Sequence, residues 1–265
     1  MSAAHIEVRN VSKVFQTADR ELVALKDIDL QIPRGQFTCL LGPSGCGKST
    51  LLNAVAGFSL PSSGSITADG ALVTGPGPER GMVFQEYALF PWMTVADNIG
   101  FGLQIKGLPK AEVNATVDRL LAMLSLQDFR QRYPKDLSGG MRQRVAIARV
   151  LALDSPIMLM DEPFGALDAL TRRNLQDELL RLWAELKKTI IFVTHSIEEA
   201  IYLADRIIVM TYRPGTIKRD IMVDLPRLRD PAAPEFNALK RELGQLVMEE
   251  QQRHHNDELR LAAID

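Results

Sequence analysis

Cysteine is nearly missing from this chain. Of 265 residues only Cys39 and Cys46 carry a thiol, too few for a disulfide framework and in keeping with a reducing compartment. A surplus of one charge is missing too: 31 Lys and Arg stand against 33 Asp and Glu, for a formal net charge of −2. A chain whose main partner is nucleic acid normally shows a basic excess, so that class is disfavoured. Long apolar runs are also lacking. The uncharged stretch Ser49–Ala68 is broken by Asn53, Pro61 and many Ser, Thr and Gly, whereas a membrane span takes about 20 mainly apolar residues. Met1–Asn10 has no apolar core of the kind a secretory signal needs. The expectation is a cytoplasmic protein that works at a membrane, if at all, through partners. With 46% hydrophobic and 24% charged residues, the composition is globular, enough for one large domain or two small ones.

What is present is an alternation of strand-like and helix-like segments. Ile6–Phe15 sets Ile6, Val8 and Val11 among polar neighbours and reads as a strand, as does Leu22–Ile32, which ends at Pro33-Arg34-Gly35. Gln36–Leu41 is a short apolar run leading into a glycine-rich loop. Lys48–Ala56 follows with helical character, and Gly57 can end it. After a loop at Ser59–Gly64, Ser65–Val73 predicts one strand and Gly81–Gln85 another, with a rigid turn at Gly75-Pro76-Gly77-Pro78 between them. From Glu86 to Ser155 helix dominates; Val113, Val117, Leu120, Leu121 and Leu124 share one helical face. Strands at Ile157–Met160, Thr189–Thr194 and Arg206–Met210 alternate with helices at Ala169–Lys187 and Ile197–Leu203, the order of a parallel α/β core. Phe236, Leu239, Leu243, Leu246 and Val247 keep helical spacing in the tail.

Three segments carry chemistry. Gly42-Pro43-Ser44-Gly45-Cys46-Gly47-Lys48-Ser49, followed by Thr50, fits the phosphate-binding P-loop pattern. Its glycines let successive backbone N–H groups converge on one concave point, and the helix that follows adds its positive end. Lys48 is suited to reach the β- and γ-phosphates, and the Ser49 hydroxyl to ligate Mg²⁺. Ile157–Met160 is a buried strand ending in Asp161 and Glu162. A carboxylate at the C-terminal edge of a parallel strand faces the ligand crevice, so Asp161 is suited to Mg²⁺ and Glu162 to polarising a water. Leu137-Ser138-Gly139-Gly140 precedes the strongly helical Val145–Leu153 and makes a second anion site at a helix start.

With two anion sites in this order, the sequence resembles the ATP-binding subunits of ABC transporters over about residues 5–225. The resemblance implies an α/β P-loop NTPase core with a mainly parallel sheet, an N-terminal antiparallel β subdomain and a helical subdomain inserted at about 86–155, followed by a helical tail at 226–265. It implies Mg²⁺-dependent ATP hydrolysis shared between two copies. Phe15 matches the aromatic that stacks on adenine, with a core strand aromatic as the other reading. Gln85 matches the glutamine that contacts Mg²⁺ and water and senses the membrane subunit. Ser138, Gly139 and Gly140 match the signature that touches the ATP of the second copy. Asp168 matches the residue that crosses the dimer interface, and His195 the γ-phosphate histidine. The implied partners are a second copy, transmembrane permease subunits and, indirectly, a periplasmic or extracellular solute-binding protein, with the chain peripheral on the cytoplasmic face of the inner membrane.

Finer resemblance points to the nitrate/sulfonate/taurine import branch, through Gly75–Gln85, Leu89–Trp92 and Asp161–Thr171. Family members often have Gln at Met141, Ser at Gly165 and Tyr at Phe15; none of these departures removes a phosphate, metal or base contact. The rival class is an ABC-type ATPase acting on nucleic acid or the ribosome. Such chains usually carry long coiled-coil insertions or two cassettes, and this one has neither. A module that binds without hydrolysing is opposed by Glu162 and His195 together. Tyr87, Leu89, Phe90 and Trp92 read either as a groove for a helix of the membrane partner or as ordinary core. Cys46, beside Lys48 and a helix N-terminus, reads either as a thiol of lowered pKa or as loop packing. His254-His255, in an acidic-leaning tail, reads either as a metal-binding pair or as solvated surface, with the second favoured.

Overall fold

The computed structural model describes residues 4–16 and 21–262, with side chains at 5–16 and 21–255. They form two compact units, one holding the described residues of Met1–Pro76 and Thr189–Asp265, the other Gly77–Lys188.

The first unit opens with β1 (Ala4–Gln16) and β2 (Glu21–Pro33), paired antiparallel with Ile6 opposite Ile32, Val8 opposite Leu30 and Val11 opposite Ile28. All six are buried, so the alternation read in the sequence is the core face of this sheet. β3 (Phe37–Leu41) is buried at every position, as a strand covered on both faces must be. α1 (Lys48–Ala56) starts after Gly47 at φ 98° and stops at Gly57 at φ 83°, the two left-handed residues that bound it. The single strand expected over Ser65–Val73 is instead a hairpin of β4 (Ser63–Ala68) and β5 (Ala71–Leu72). Asp69 and Gly70 both take positive φ, the geometry of a tight two-residue turn. β4 pairs antiparallel with β1, which completes the order β2-β1-β4-β5.

The second unit holds β6 (Arg80–Val83), α2 (Val95–Ile105), α3 (Lys110–Met123), α4 (Gly139–Ala152), β7 (Ile157–Asp161) and α5 (Ala169–Leu186). β6 and β7 pair in parallel, Arg80 beside Ile157 and Val83 beside Met160. The helices α2, α3 and α4 pack on one another, and the face read from the sequence, Val113, Val117, Leu120, Leu121 and Leu124, is buried. Each such side chain taken from water contributes about 1.5–3 kcal/mol before entropy is subtracted. Thr94, Ser138 and Asp168 cap α2, α4 and α5, each accepting a backbone N–H of its first turn.

The chain then returns to the first unit with β8 (Thr189–Thr194), α6 (Ile197–Leu203), β9 (Arg206–Met210), β10 (Ile217–Met222) and α7 (Pro234–Ala262). β3 lies between β8 and β9 and runs parallel to both; β10 closes on β9 antiparallel. β10 carries no sequence signal, because Ile217-Lys-Arg-Asp-Ile-Met222 is a charged, half-exposed edge strand with no apolar alternation. Parallel strands with intervening helices, beside a separate antiparallel N-terminal sheet, are the α/β architecture the sequence implied. Among the described residues no helix is long and apolar enough to cross a membrane.

The tail helix is anchored. Phe236, Leu243 and Val247 are buried, and α7 packs on α6 and β9. Ahead of it Arg229, 5% exposed, donates to the carbonyls of Ile201, Ala204 (2.6 Å), Leu225 (3.1 Å) and Val223 (3.2 Å). Burial, helped by neighbouring Arg227, pushes its pKa down to about 10, so it stays cationic at neutral pH. Arg229→Met keeps the apolar stem but leaves these carbonyls without their donor. Urea unfolding should show a loss on the order of 3 kcal/mol, against less than about 0.5 for Arg219→Met on exposed β10.

Candidate active site

In the first unit the Gly42–Ser49 loop is assembled by crowding. A Cβ on Gly42 would stand 3.0 Å from the Met210 carbonyl oxygen, and one on Gly47 2.9 Å from that of Ala24 and 2.8 Å from Leu25 Cδ2. β2 and β9 thus hold the loop backbone so close that a side chain at either glycine would force a neighbour to move. Lys48 is 4% exposed. Its Nζ donates to the carbonyls of Gly42 (2.8 Å) and Pro43 (2.9 Å), so the ammonium is folded along the loop. Ser44, Gly45 and Ser49 are exposed, Thr50 half-buried.

Cys46 corrects one of the two readings of its thiol. It is wholly buried, and burial pushes its pKa up despite the attraction of Lys48, 3.7 Å away. Desolvation exceeds the cation's pull, so this thiol is loop packing. Phe15 ends β1 at 38% exposure with Lys13 Nζ 5.2 Å from its ring centroid, and so is not a core aromatic. His195 is exposed between β8 and α6. Its turn is fixed by buried Thr194, whose hydroxyl donates to the Glu199 carboxylate (2.5 Å) and accepts the Ser196 N–H (3.0 Å). His254 corrects the solvated reading: its ring stacks on Tyr212 with centroids 3.9 Å apart.

In the second unit Asp161 closes β7, and Glu162 follows at φ 42°. A left-handed glutamate costs about 1–3 kcal/mol, a strain that gathers at functional sites. Its carboxylate lies 3.9 Å from where a Cβ on Gly165 would stand, an ordinary contact distance, so the turn brings Gly165 beside it. Arg172 ties down the next turn through the carbonyls of Phe164 (3.2 Å) and Leu167 (2.9 Å). Asp168 is exposed and caps α5; hydrogen bonds from Thr171 hold its carboxyl below the usual range. Ser138 accepts the Met141 N–H (3.3 Å) as the cap of α4. Gly140 passes so near Thr171 that a Cβ would stand 2.7 Å from its methyl, and Gly139 so near Tyr87 that a Cβ would stand 3.2 Å from the phenol oxygen. Within this unit the signature turn, the turn after Gln85 and the start of α5 therefore meet.

Two residues of that junction escaped the sequence reading. Gln85 is exposed just past β6, and the chain then turns through Tyr87 and Ala88, both at positive φ. Arg149 of α4 holds this turn: Nη1 donates to the Ala88 carbonyl (2.6 Å) and Nη2 to that of Tyr87 (3.2 Å), with the guanidinium 5.6 Å from the Phe90 ring centroid. Burial lowers its pKa. Buried Asn98 holds the next stretch, accepting the Phe90 N–H (2.8 Å) and donating to the carbonyls of Phe90, Met93 and Thr94 at 2.9–3.1 Å. Phe90 packs on Phe101 at 4.7 Å between centroids, whereas Trp92 is 71% exposed. The stretch Tyr87–Trp92 is thus rooted in the unit at Phe90 and open at Trp92.

The ABC transporter family model matches residues 25–165. A nitrate import ATP-binding protein of Synechocystis sp. is 46% identical over 90% of each chain. A taurine import ATP-binding protein of Roseobacter denitrificans is 48% identical over 93% of this chain and 96% of that one. The dimeric structure of a bacterial ABC transporter cassette aligns with a TM-score of 0.75 at 33% identity, over 83% of this chain and all of that one. A dimeric post-hydrolysis state of an ATP-binding cassette, bound to ADP and phosphate, aligns at 0.74 and 32%. The chain belongs to the ABC transporter ATP-binding family. It is an ATP hydrolase of that class, which uses ATP with Mg²⁺.

Arg149→Met should release the turn after Gln85. Hydrogen exchange at residues 87–90 should accelerate at least tenfold and denaturant stability fall by about 2 kcal/mol, the scale of hydrogen bonds from a charged donor.

Proposed function

We propose that this chain binds ATP in the Gly42–Thr50 loop and hydrolyses it to drive a membrane importer for a small oxyanion-type solute of the nitrate, sulfonate or taurine class. The observation that carries the proposal is the phosphate loop itself: glycines whose missing Cβ atoms are required by Ala24, Leu25 and Met210, followed by a helix N-terminus and a buried lysine. The import class is supported by the nitrate and taurine import relatives. The dimeric cassettes support a homodimer, in which Ser138, Gly139 and Gly140 reach the ATP of the second copy and Asp168 crosses the interface. Nothing favours the nucleic-acid reading.

The chemistry follows from the residue types. Backbone N–H groups from Gly45 to Thr50 cradle the phosphates, and Lys48, released from the Gly42 and Pro43 carbonyls, offsets their charge. Mg²⁺, when bound, neutralises charge on the β- and γ-phosphates; Ser49, Gln85 and Asp161 offer the hard oxygen donors it takes. Phe15, exposed at the end of β1, is suited to stack on adenine. Glu162 orients the attacking water and takes its proton as oxygen bonds to the γ-phosphorus, and His195 steadies the γ-phosphate. Gln85 reports the state of the site to the membrane partner, with exposed Trp92 offered to that partner. The domain reading is an ATP-binding domain at 5–225, its helical part at about 86–155, and a tail at 226–265. The chain then sits peripherally on the cytoplasmic face of the inner membrane, with permease subunits and a solute-binding protein as partners.

Lys48 and Glu162 should fail differently. Lys48 attracts phosphates in the ground state as well as the transition state, so Lys48→Ala should weaken both ATP binding and turnover. Glu162 is an anion near a polyanion and gives bound ATP little attraction. Glu162→Gln should bind ATP as well as wild type or better while kcat falls about 10²–10⁴-fold. Calorimetry and phosphate release on one preparation check this; more than about a third of wild-type turnover in Glu162→Gln rules out the general-base assignment.

A further inference from the structure

The turn between β9 and β10 presses on the phosphate loop from outside the motif. It is closed on itself: the Thr211 N–H donates to the Thr216 carbonyl (3.0 Å), and the Thr211 hydroxyl to the Pro214 carbonyl (2.9 Å). Gly215 is stitched to β2, donating to the Ala24 carbonyl and accepting from the Lys26 N–H, both at 3.0 Å. A Cβ on Gly215 would stand 2.2 Å from the Cys46 carbonyl oxygen, so the two backbones touch. On this base Arg213 reaches over the loop, and its Nε donates to the Gly45 carbonyl (2.9 Å). Gly45 is at φ +77°, and a Cβ there would stand 3.3 Å from Arg213 Nη2.

This contact bears on phosphate binding for a geometric reason. In a trans peptide the C=O of Gly45 and the N–H of Cys46 point in opposite directions. A cation gripping the oxygen from one side fixes the plane of that peptide, and polarising the carbonyl makes its N–H a better donor; that N–H donates here to the Pro43 carbonyl at 3.4 Å, and a phosphate would take that carbonyl's place. The cradle is built from such N–H groups.

The same turn is gripped at its other side by the tail helix. The Tyr212 N–H donates to Glu250 Oε2 (2.9 Å), and Lys218 Nζ donates to Glu250 Oε1 (2.8 Å). Glu250 is 2% exposed, and the Tyr212 ring stacks on His254. Burial would raise the Glu250 carboxyl, but its hydrogen bonds from Lys218 and the Tyr212 N–H prevail and hold it below the usual range, so it is the charged form that grips. Tyr212 and Arg213 are neighbours, so what α7 does to one it does to the other.

We propose that Arg213 is a positioning residue of the phosphate loop and that α7, through Glu250, His254 and Tyr212, holds it in place, so that the C-terminal helix sets the chain's affinity for ATP. This rests on the reading of Gly42–Thr50 as the ATP cradle. Because Arg213 is exposed, solvent screens its charge, and the directed Nε bond carries the effect rather than the net charge.

Calorimetric binding of MgATP to the full chain tests the proposal, with melting curves alongside. Arg213→Ala should weaken ATP about tenfold, the scale of a hydrogen bond from a charged group, with kcat at saturating ATP changed less than about twofold. Arg213→Lys, which keeps the charge but lacks Nε, should recover less than half of the loss on a logarithmic scale. Glu250→Ala and the milder His254→Ala should each weaken ATP by about two- to fivefold, and neither should add to Arg213→Ala in a double-mutant cycle. Wild-type affinity in Arg213→Ala, full recovery in Arg213→Lys, wild-type affinity in both tail variants, or additive losses would each overturn it. Lys48→Ala in the same assay separates the two claims: if it binds ATP like wild type, the cradle reading falls and this proposal with it. If only the Arg213 and tail results fail, the cradle reading stands.

Discussion

The phosphate loop depends on a backbone that has nowhere else to go. Gly42 and Gly47 lie against the Met210 and Ala24 carbonyls, and Gly47 and Gly57, both left-handed, set the start and stop of α1. Inside the loop the Cys46 N–H donates to the Pro43 carbonyl (3.4 Å), so the scaffold fixes a backbone whose polar groups are partly paired with one another. β2, β9 and the turn after β9 thus shape this loop although none of them belongs to the motif. Lys48 is held by the same backbone, buried against the carbonyls of Gly42 and Pro43.

The second unit follows a parallel logic with different parts. Strain at Glu162, Tyr87 and Ala88 is fixed by neighbours rather than relieved. Arg149 holds the left-handed turn, Arg172 holds the segment after Glu162, and Gly139 and Gly140 let α4 begin in contact with both Tyr87 and Thr171. Tyr87 is thus shared by the segment after Gln85 and the turn that starts α4.

Much of this was legible in the sequence, and the exceptions have a common cause. α1 and α6 carry capping residues at the right places, and the runs at Thr189–Thr194 and Arg206–Met210 are apolar enough to be read residue by residue. β10 was not, because an edge strand needs a partner rather than a pattern, and the β4–β5 turn was not, because Asp69-Gly70 was read as part of one strand. Cys46 was open in the sequence because proximity to Lys48 is visible there and burial is not. The arginines that hold the structure together, Arg149, Arg213 and Arg229, carry no signal in the sequence. Each donates to backbone carbonyls, and every residue has a carbonyl, so no spacing of side chains announces the partner.

The central claim is that one chain supplies a phosphate cradle and a separate signature face, so that a complete site requires two copies. Light scattering on the full-length Glu162→Gln variant tests this most directly. With saturating MgATP the mass should rise from 29.5 kDa to about twice that, and it should stay at the single-chain value with ADP or when Lys48→Ala is added. A mass that remains at 29.5 kDa while one ATP is bound per chain would contradict the account.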